Sequence, residues 1–108
     1  MPTKRPYTIY VIRLKNRVIN DPRFRQRNAQ YILKNPCVYV GMTYLSAEER
    51  YEQHKNGIHS ARIVRNYHRD LMNSECRRTR PITQRRALKR EAALAQNLRE
   101  RGWGVWSN

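Results

Sequence analysis

Three groups of residues have types and spacings that suit chemistry on phosphate. Glu91 falls among apolar positions of a helix predicted over residues 83–101, and Arg50 precedes His54 by four residues on a predicted helix. Tyr10 and Tyr39 lie on two predicted strands. A carboxylate binds hard divalent cations, a guanidinium stabilises charge on a phosphoryl group, and a histidine transfers protons near neutral pH.

Glu91 lies on the predicted apolar face of its helix, where a hydrophobic residue is usual. The apolar stripe around it comprises Ala87, Leu88, Leu94, Ala95 and Leu98. Because a carboxylate loses several kcal/mol of hydration on burial, Glu is rarely buried without a partner. An ion pair with one of the many arginines would explain it structurally. A divalent cation bound at the rim of a cleft would explain it functionally.

Arg50 and His54 share one helix face, and two interpretations of that face stay open. Side by side they suit a phosphate, with Arg50 stabilising charge and His54 transferring a proton near neutral pH. The charged neighbours Glu48, Glu49 and Lys55 also suit an ordinary solvated face. Most buried tyrosines only pack, but Tyr10 and Tyr39 would bring two hydroxyls together if they shared a sheet face.

The elements that position these residues follow from apolar patterns and turn signals. Residues 7–14 and 37–40 are predicted strands, expected to pair antiparallel, and a basic insertion with only a weak helical pattern separates them at about 16–35. Ser46 and Glu49 form a capping box, and Gly57 and Gly102 suit left-handed helix ends.

The rest of the chain is less strongly patterned. Residues 58–67 suit a short helix, 67–72 a possible strand, 73–81 a solvated basic loop and 103–106 a closing extended segment. We therefore predict an α+β fold with a small central antiparallel sheet flanked by helices, in a single domain spanning residues 1–108.

Charge is the strongest compositional signal. The 23 Lys and Arg residues against 8 Asp and Glu give a net charge of +15, and 18 of the cations are Arg. Arg pairs with phosphate oxygens in a fork and stacks on bases, so this balance predicts a nucleic-acid partner, DNA or RNA. No apolar run approaches about 18 residues and no secretory leader is evident, so we expect no membrane association and a cytoplasmic location. Oligomeric state is left open.

The two cysteines allow at most one disulfide. Cys37 and Cys76 stand far apart, with no Cys-x-x-Cys pair or Cys/His cluster typical of structural zinc. We expect both to be reduced thiols.

The ordered set of Thr8-Ile9-Tyr10, then Tyr39-Val40-Gly41, then Arg50 with His54, then Glu91 resembles the GIY-YIG nuclease superfamily. The resemblance spans nearly the whole chain, and its specificity comes from order and spacing. It departs from the family pattern at Thr8, which stands where a glycine is usual, and in the wide separation of the two tyrosine motifs. Some restriction-enzyme members are similar in that separation.

The resemblance implies a role for each matched residue. Tyr10 or Tyr39 would activate or orient the attacking water, Arg50 would contact the scissile phosphate, and His54 would assist one turn later. Glu91 would hold Mg²⁺ or Mn²⁺. Asn108 is a further candidate, matching an active-site asparagine of some members.

The expected activity is therefore metal-dependent endonucleolytic hydrolysis of DNA. The expected DNA contacts are Arg23, Arg25 and Arg27 in the insertion, with Arg77 and Arg78 later in the chain. The alternative is a binding module for DNA or RNA that keeps the fold and the basic surface but does not cut. Such a module would bind nucleic acid with strong salt dependence and no metal requirement.

Overall fold

Two runs rich in β-branched and aromatic residues form the central pair of strands, as their composition predicts. This computed structural model describes residues 3–107. The strands are β1 (Lys4–Arg5), β2 (Thr8–Leu14), β3 (Cys37–Thr43), β4 (His68–Leu71), β5 (Arg77–Arg78), β6 (Ile82–Thr83) and β7 (Gly104–Ser107). The helices are α1 (Pro22–Arg27), α2 (Ala47–Lys55), α3 (Arg62–Tyr67) and α4 (Gln84–Glu100), with 3₁₀ turns at Asn16–Asn20 and Asn73–Glu75. The fold is α+β, as predicted.

The main sheet has five strands in the order β4-β2-β3-β7, with β5 also pairing with β2. The predicted antiparallel pairing of β2 with β3 is confirmed and runs from Thr8 opposite Thr43 to Leu14 opposite Cys37. The expectation of a wholly antiparallel sheet is wrong, because β7 pairs parallel to β3. A parallel neighbour needs a long crossing connection, and α4 brings the chain back across the sheet before β7. Separately, β1 and β6 form a two-stranded antiparallel sheet.

The sheet buries both of its faces. Alternate residues of β2 and β3, including Ile12 and Cys37, pack on one face with Ala47 of α2 and with Ile63 and Val64 of α3. The residues between them pack on the opposite face with α4, in a cluster made of Ile9, Val11, Val38, Val40, Ala95, Leu98 and Val105. The two-residue period of a strand thus assigns α2 and α3 to one side and α4 to the other.

Both long helices begin and end as their sequences predict. Ser46 and Glu49 make the reciprocal capping box of α2, and Gly57 follows the helix with a φ of 76°. Thr83 caps α4, and Gly102 follows it with a φ of 82°. Leu88 is the exception within the predicted apolar stripe, since it is 48% exposed. It lies about 60° around α4 from Glu91, on the flank of the buried face.

The insertion between β2 and β3 is more ordered than its sequence suggests. It contains the first 3₁₀ turn and α1, whose N-terminus is capped by the side chain of Asp21. Val18 and Phe24 are fully buried, and the Phe24 ring stacks on Trp106 of β7 at 6.4 Å between centroids. Ile19 and Tyr31 are partly buried and pack against the same core. These apolar positions do not recur with a helical period, so the sequence does not predict the helix.

Two other predicted boundaries differ from the structure. The helix predicted over residues 58–67 begins only at Arg62. The segment predicted as a solvated loop, residues 73–81, contains a 3₁₀ turn and β5, which pairs with Thr8 and Ile9. Thr79, next to β5, is buried and its hydroxyl accepts a hydrogen bond from the Tyr7 N–H. Residues 77–78 pair with the free edge of β2. No local sequence pattern predicts this pairing.

Cys37 and Cys76 are both free thiols, as expected. Within residues 3–107, no helix combines the length and the apolar character that crossing a bilayer requires.

Asn28 fastens the insertion to the sheet, which makes it a test of this architecture. Its amide donates to the carbonyls of Phe24 and Val105 and accepts from the Val105 N–H, all buried. Asn28→Ala leaves those backbone groups without partners, so we expect a loss of about 3 kcal/mol in the free energy of unfolding. Urea denaturation measures it. Asn97→Ala, at an exposed position of α4, is the control, and equal midpoints for the two variants would contradict this account.

Candidate active site

The register of β2 against β3 brings the two motif tyrosines onto one sheet face. Tyr10 is opposite Gly41 and Ile12 is opposite Tyr39, so the two tyrosines are diagonal neighbours. Their ring centroids are 6.1 Å apart. The prediction that they could share a face is confirmed.

Gly41 makes room for the Tyr10 side chain. A Cβ at position 41 would lie 2.4 Å from the Tyr10 hydroxyl oxygen, closer than any real contact. The glycine of the second motif is therefore required by packing, since the Tyr10 ring passes directly over its Cα.

Helix α2 supplies the third member of this group. His54 is fully buried, and its Nε2 lies 2.8 Å from the Tyr10 hydroxyl oxygen. Its ring also meets the Tyr39 ring edge-on, at 5.3 Å between centroids. The alternative that His54 belongs to a solvated face is wrong, because α2 turns this residue into the sheet.

The hydrogen bond from Ser60 to the Ala61 carbonyl favours one tautomer of His54. The Ser60 hydroxyl donates its single proton to the carbonyl of Ala61 at 3.3 Å, so its oxygen accepts from the Nδ1–H of His54, also at 3.3 Å. The Nε2 atom then carries a lone pair and accepts from the Tyr10 hydroxyl. Tyr10 is thus the donor and His54 the acceptor.

Burial keeps both groups neutral. Burial, together with the neighbouring Tyr39, raises the pKa of Tyr10 far above its ordinary value of 10.0, and this outweighs the opposite effect of Arg50. Burial, and secondarily the positive charge of Arg50, lowers the pKa of His54 from 6.5 to about 4. At neutral pH the pair is therefore an uncharged phenol donating to an uncharged imidazole.

Arg50 is the partly exposed member of the site and is held in place from several sides. Its guanidinium donates to Gln53 Oε1 at 3.0 Å and to the carbonyls of Ile58 and His59 at 3.2 and 2.9 Å. These bonds tie the turn after α2 back onto the helix. Tyr10 and Tyr39 are only 1% and 2% exposed, so a substrate approaching this group meets Arg50 first.

Glu91 lies apart from this group. It faces the sheet from α4, in line with Ala87 and Ala95, on the side opposite to Tyr10 and His54. It is 6% exposed and makes no hydrogen bond or ion pair with any residue in the range 3–107. The ion pair with arginine that would have explained its burial is therefore not formed there. Burial alone raises the pKa of Glu91 from 4.5 to about 7.

The outer edge of β3 is open beyond Val40 in the described part of the chain. Strand β7 pairs with residues 37–40 of β3. Asn108, which follows β7, lies outside the described residues. Among residues 3–107, no group of three or more His, Cys, Asp or Glu side chains is placed to hold a metal ion.

The predicted DNA-contacting arginines lie on two separate elements. Arg23, Arg25 and Arg27 are exposed on α1, and Arg77 and Arg78 are exposed on β5. Several of them also have internal partners: Arg27 covers the Trp106 ring at 3.8 Å, and Arg78 donates to Thr8 Oγ1 at 2.7 Å.

Ser60 is the residue of this site that sequence reasoning missed. It lies six residues beyond His54, outside any motif, and reaches the ring only because the turn at Gly57 and His59 folds the chain back along α2. The left-handed glycine signals that turn, but nothing in the pattern indicates which hydroxyl meets the histidine.

No protein-family model, curated protein sequence or solved structure matches this chain. The roles of these residues are therefore argued from their geometry.

The depressed pKa of His54 predicts a pH dependence of stability. The folded protein binds fewer protons than the unfolded chain between pH 6.5 and about 4, so stability is fully present above this window and is lost as pH falls through it. We expect His54 to account for a loss of about 3 kcal/mol across the window. Urea denaturation at several pH values should show a correspondingly shallower acid loss in His54→Gln. Parallel curves for the two proteins would contradict the burial of a neutral imidazole.

The raised pKa of Glu91 predicts the opposite trend. The folded protein holds this proton more tightly than the unfolded chain, so the contribution is full below pH 4.5 and is lost as pH rises through about 7. In EDTA at pH 8, Glu91→Gln should be more stable than the unchanged protein by up to about 3 kcal/mol, and the difference should vanish near pH 4. Glu100→Gln, at an exposed position, should change neither value. A destabilised Glu91→Gln protein at pH 8 would mean that the carboxylate has a partner.

Proposed function

We propose that this protein is a nuclease that hydrolyses DNA phosphodiester bonds, and that its fold is of the GIY-YIG type. The observation that carries the proposal is the 2.8 Å hydrogen bond between Tyr10 and His54, directed by Ser60 and placed beside Arg50. A phenol, an imidazole and a guanidinium in one group provide a proton path and a phosphate ligand, which hydrolysis requires.

In the proposed reaction, Tyr10 relays the proton of the attacking water. The Tyr10 oxygen takes a proton from the water as its own proton passes to His54 Nε2, and the hydroxide attacks phosphorus as the P–O bond to the leaving sugar oxygen breaks. His54 ends this step as imidazolium, and the leaving oxygen is protonated from solvent. Tyr39 packs against both rings and holds them in line.

Arg50 serves the same step in two ways. Its guanidinium stabilises the charge that develops on the phosphoryl oxygens. Burial is the main cause of the lowered pKa of His54, and the charge of Arg50 is the second. A bound phosphate would offset the second cause, so the imidazole would become a somewhat better base when substrate is present.

The carboxylate of Glu91 is the proposed ligand of Mg²⁺ or Mn²⁺. Its donor chemistry fits, because Mg²⁺ keeps most of its waters and needs only one or two carboxylates, and Glu91 has no competing cation among residues 3–107. The ion would supply charge neutralisation at the phosphate. For groups on both sides of the sheet to serve one phosphate, the scissile bond would have to lie at the open edge of β3, beyond Val40.

The burial of the Tyr10 group favours a second candidate function. With Tyr10, Tyr39 and His54 at most 2% exposed, the group also suits a structural core in a DNA- or RNA-binding module that does not cut. The two candidates differ in one measurable property, since only the nuclease needs the Tyr10 hydroxyl for turnover.

Supercoiled plasmid incubated with the purified protein tests the proposal. Nicking or linearisation should require Mg²⁺ or Mn²⁺. Tyr10→Phe should lower the rate at least about 100-fold through loss of a proton-transfer group, and Glu91→Gln should lower it by at least about as much through loss of the metal ligand. The control variant Tyr7→Phe lacks the hydroxyl of another buried tyrosine, and it should cleave the plasmid at the rate of the unchanged protein. DNA binding by gel shift should be retained throughout.

The outcomes separate the candidates. Binding without cleavage under every metal would favour the binding module and make RNA the next substrate to try. Full activity in Tyr10→Phe would overturn the proposed proton path. If adding Mg²⁺ or Mn²⁺ shifts the thermal midpoint of the unchanged protein no more than it shifts that of Glu91→Gln, Glu91 is not the metal ligand.

A further inference from the structure

The outer face of the first half of α4 is built from cations. Its exposed positions there include Arg85, Arg86, Lys89 and Arg90, which together span about 140° of the helix surface. The exposed positions of the second half carry no cation: they are Ala92, Ala93, Gln96, Asn97 and Glu100. The charge is therefore concentrated at one end of a single helix.

The side chains of these four residues do not contribute to the fold through polar contacts. None of them makes a hydrogen bond, an ion pair or a ring contact with any residue in the range 3–107. The arginines of the insertion contrast with them: Arg17 lies over the Tyr67 ring at 5.5 Å, and Arg25 donates to the Ile19 carbonyl at 3.2 Å. Arg27 covers Trp106. The insertion uses much of its charge for packing, whereas the α4 cations are available.

Their position opposes the stability of the helix. The N-terminal turns of a helix carry the positive end of its dipole, which favours Asp and Glu and disfavours Lys and Arg. The first turn of α4 contains no acidic residue at all. Of the four cations, Arg85 and Arg86 lie in the first turn, where the helix dipole disfavours them. With no side-chain partner for any of the four among residues 3–107, an anion from outside would stabilise this end of α4.

Strand pairing brings further cations to the same end of α4. The pairing of β1 with β6 joins Lys4 to Thr83, the N-cap of α4. Strand β5 runs beside the start of β2, and its Arg77 and Arg78 line a cleft together with Arg90 of α4. Residues 77–90 contain seven cations and no acid.

We propose that this surface, formed by the outer face of Arg85–Arg90 with Arg77 and Arg78 beside it, binds the phosphate backbone of the nucleic acid. It defines where the substrate of the proposed function docks and so rests on that function for the identity of the polyanion. The α4 cations contact successive phosphates, while the arginines of the insertion mainly stabilise the fold.

Salt-dependent binding without metal tests this surface independently of cleavage. The probe is a 20-base-pair DNA duplex in EDTA, titrated by fluorescence anisotropy at several salt concentrations. One variant carries Arg85→Gln, Arg86→Gln, Lys89→Gln and Arg90→Gln. The control carries Lys15→Gln, Lys34→Gln, Arg65→Gln and Arg69→Gln, four exposed cations whose side chains also make no hydrogen bond, ion pair or ring contact within residues 3–107.

The two variants lose the same charge, so only its position differs. We expect the slope of log affinity against log salt to become shallower by about 3.6 in the α4 variant, because each of the four lost phosphate contacts removes about 0.9. The control should keep the slope of the unchanged protein. The thermal midpoint of the α4 variant should stay level or rise, since the removed cations oppose the helix dipole.

Two results would overturn the proposal: an unchanged slope in the α4 variant, or an equal loss of slope in both variants, which would show that only net charge counts. Neither result depends on whether the protein cuts DNA. A cleavage failure with a shallower slope in the α4 variant alone would reject the proposed nuclease and keep this surface.

Discussion

The register between β2 and β3 is the constraint on which the rest of the site depends. It places Tyr10 over Gly41, the only residue type that leaves room for the ring, and puts Tyr39 diagonally beside it. A slip of one residue between the two strands would place Tyr10 and Tyr39 on opposite faces of the sheet and separate one of them from His54. The apolar residues of both sheet faces hold this register, since Val11, Ile12, Val38 and Val40 are all fully buried.

Polar groups buried in a small core need hydrogen-bond partners, because an unpaired buried polar group destabilises the fold. His54 uses one ring nitrogen for Tyr10 and the other for Ser60, which makes its tautomer a consequence of the turn after α2. Glu91 breaks the same rule, because it is buried with no partner among residues 3–107 in a protein with a net charge of +15. Many arginines are available in this protein to pair with Glu91, and none of those described does so. The lack of an ion pair is therefore stronger evidence for a functional role of Glu91 than its burial is.

The distribution of the arginines separates structure from recognition. Arg62 pairs with the capping residue Asp21, and Arg27 stacks on Trp106, so these charges belong to the fold. The cations at the start of α4 are exposed and have no such partners among residues 3–107. The composition shows only an excess of positive charge. The tertiary structure shows that some of these cations stabilise the fold through internal contacts, whereas others form an exposed surface.

The sequence by itself determined the features that depend on interactions between residues close together in the chain. The strand composition of residues 8–14, the capping box at Ser46 and the left-handed glycines after α2 and α4 act over a few residues, so they could be predicted, and the resemblance of the motifs singled out Tyr10, Tyr39 and His54. Tertiary structure alone decided the parallel pairing of β7, the recruitment of β5, the helix within the insertion and the role of Ser60. It also decided that Glu91 faces the other side of the sheet. Each of these depends on partners far along the chain, and pairing at such distances is selected by packing and free strand edges, which no local pattern records.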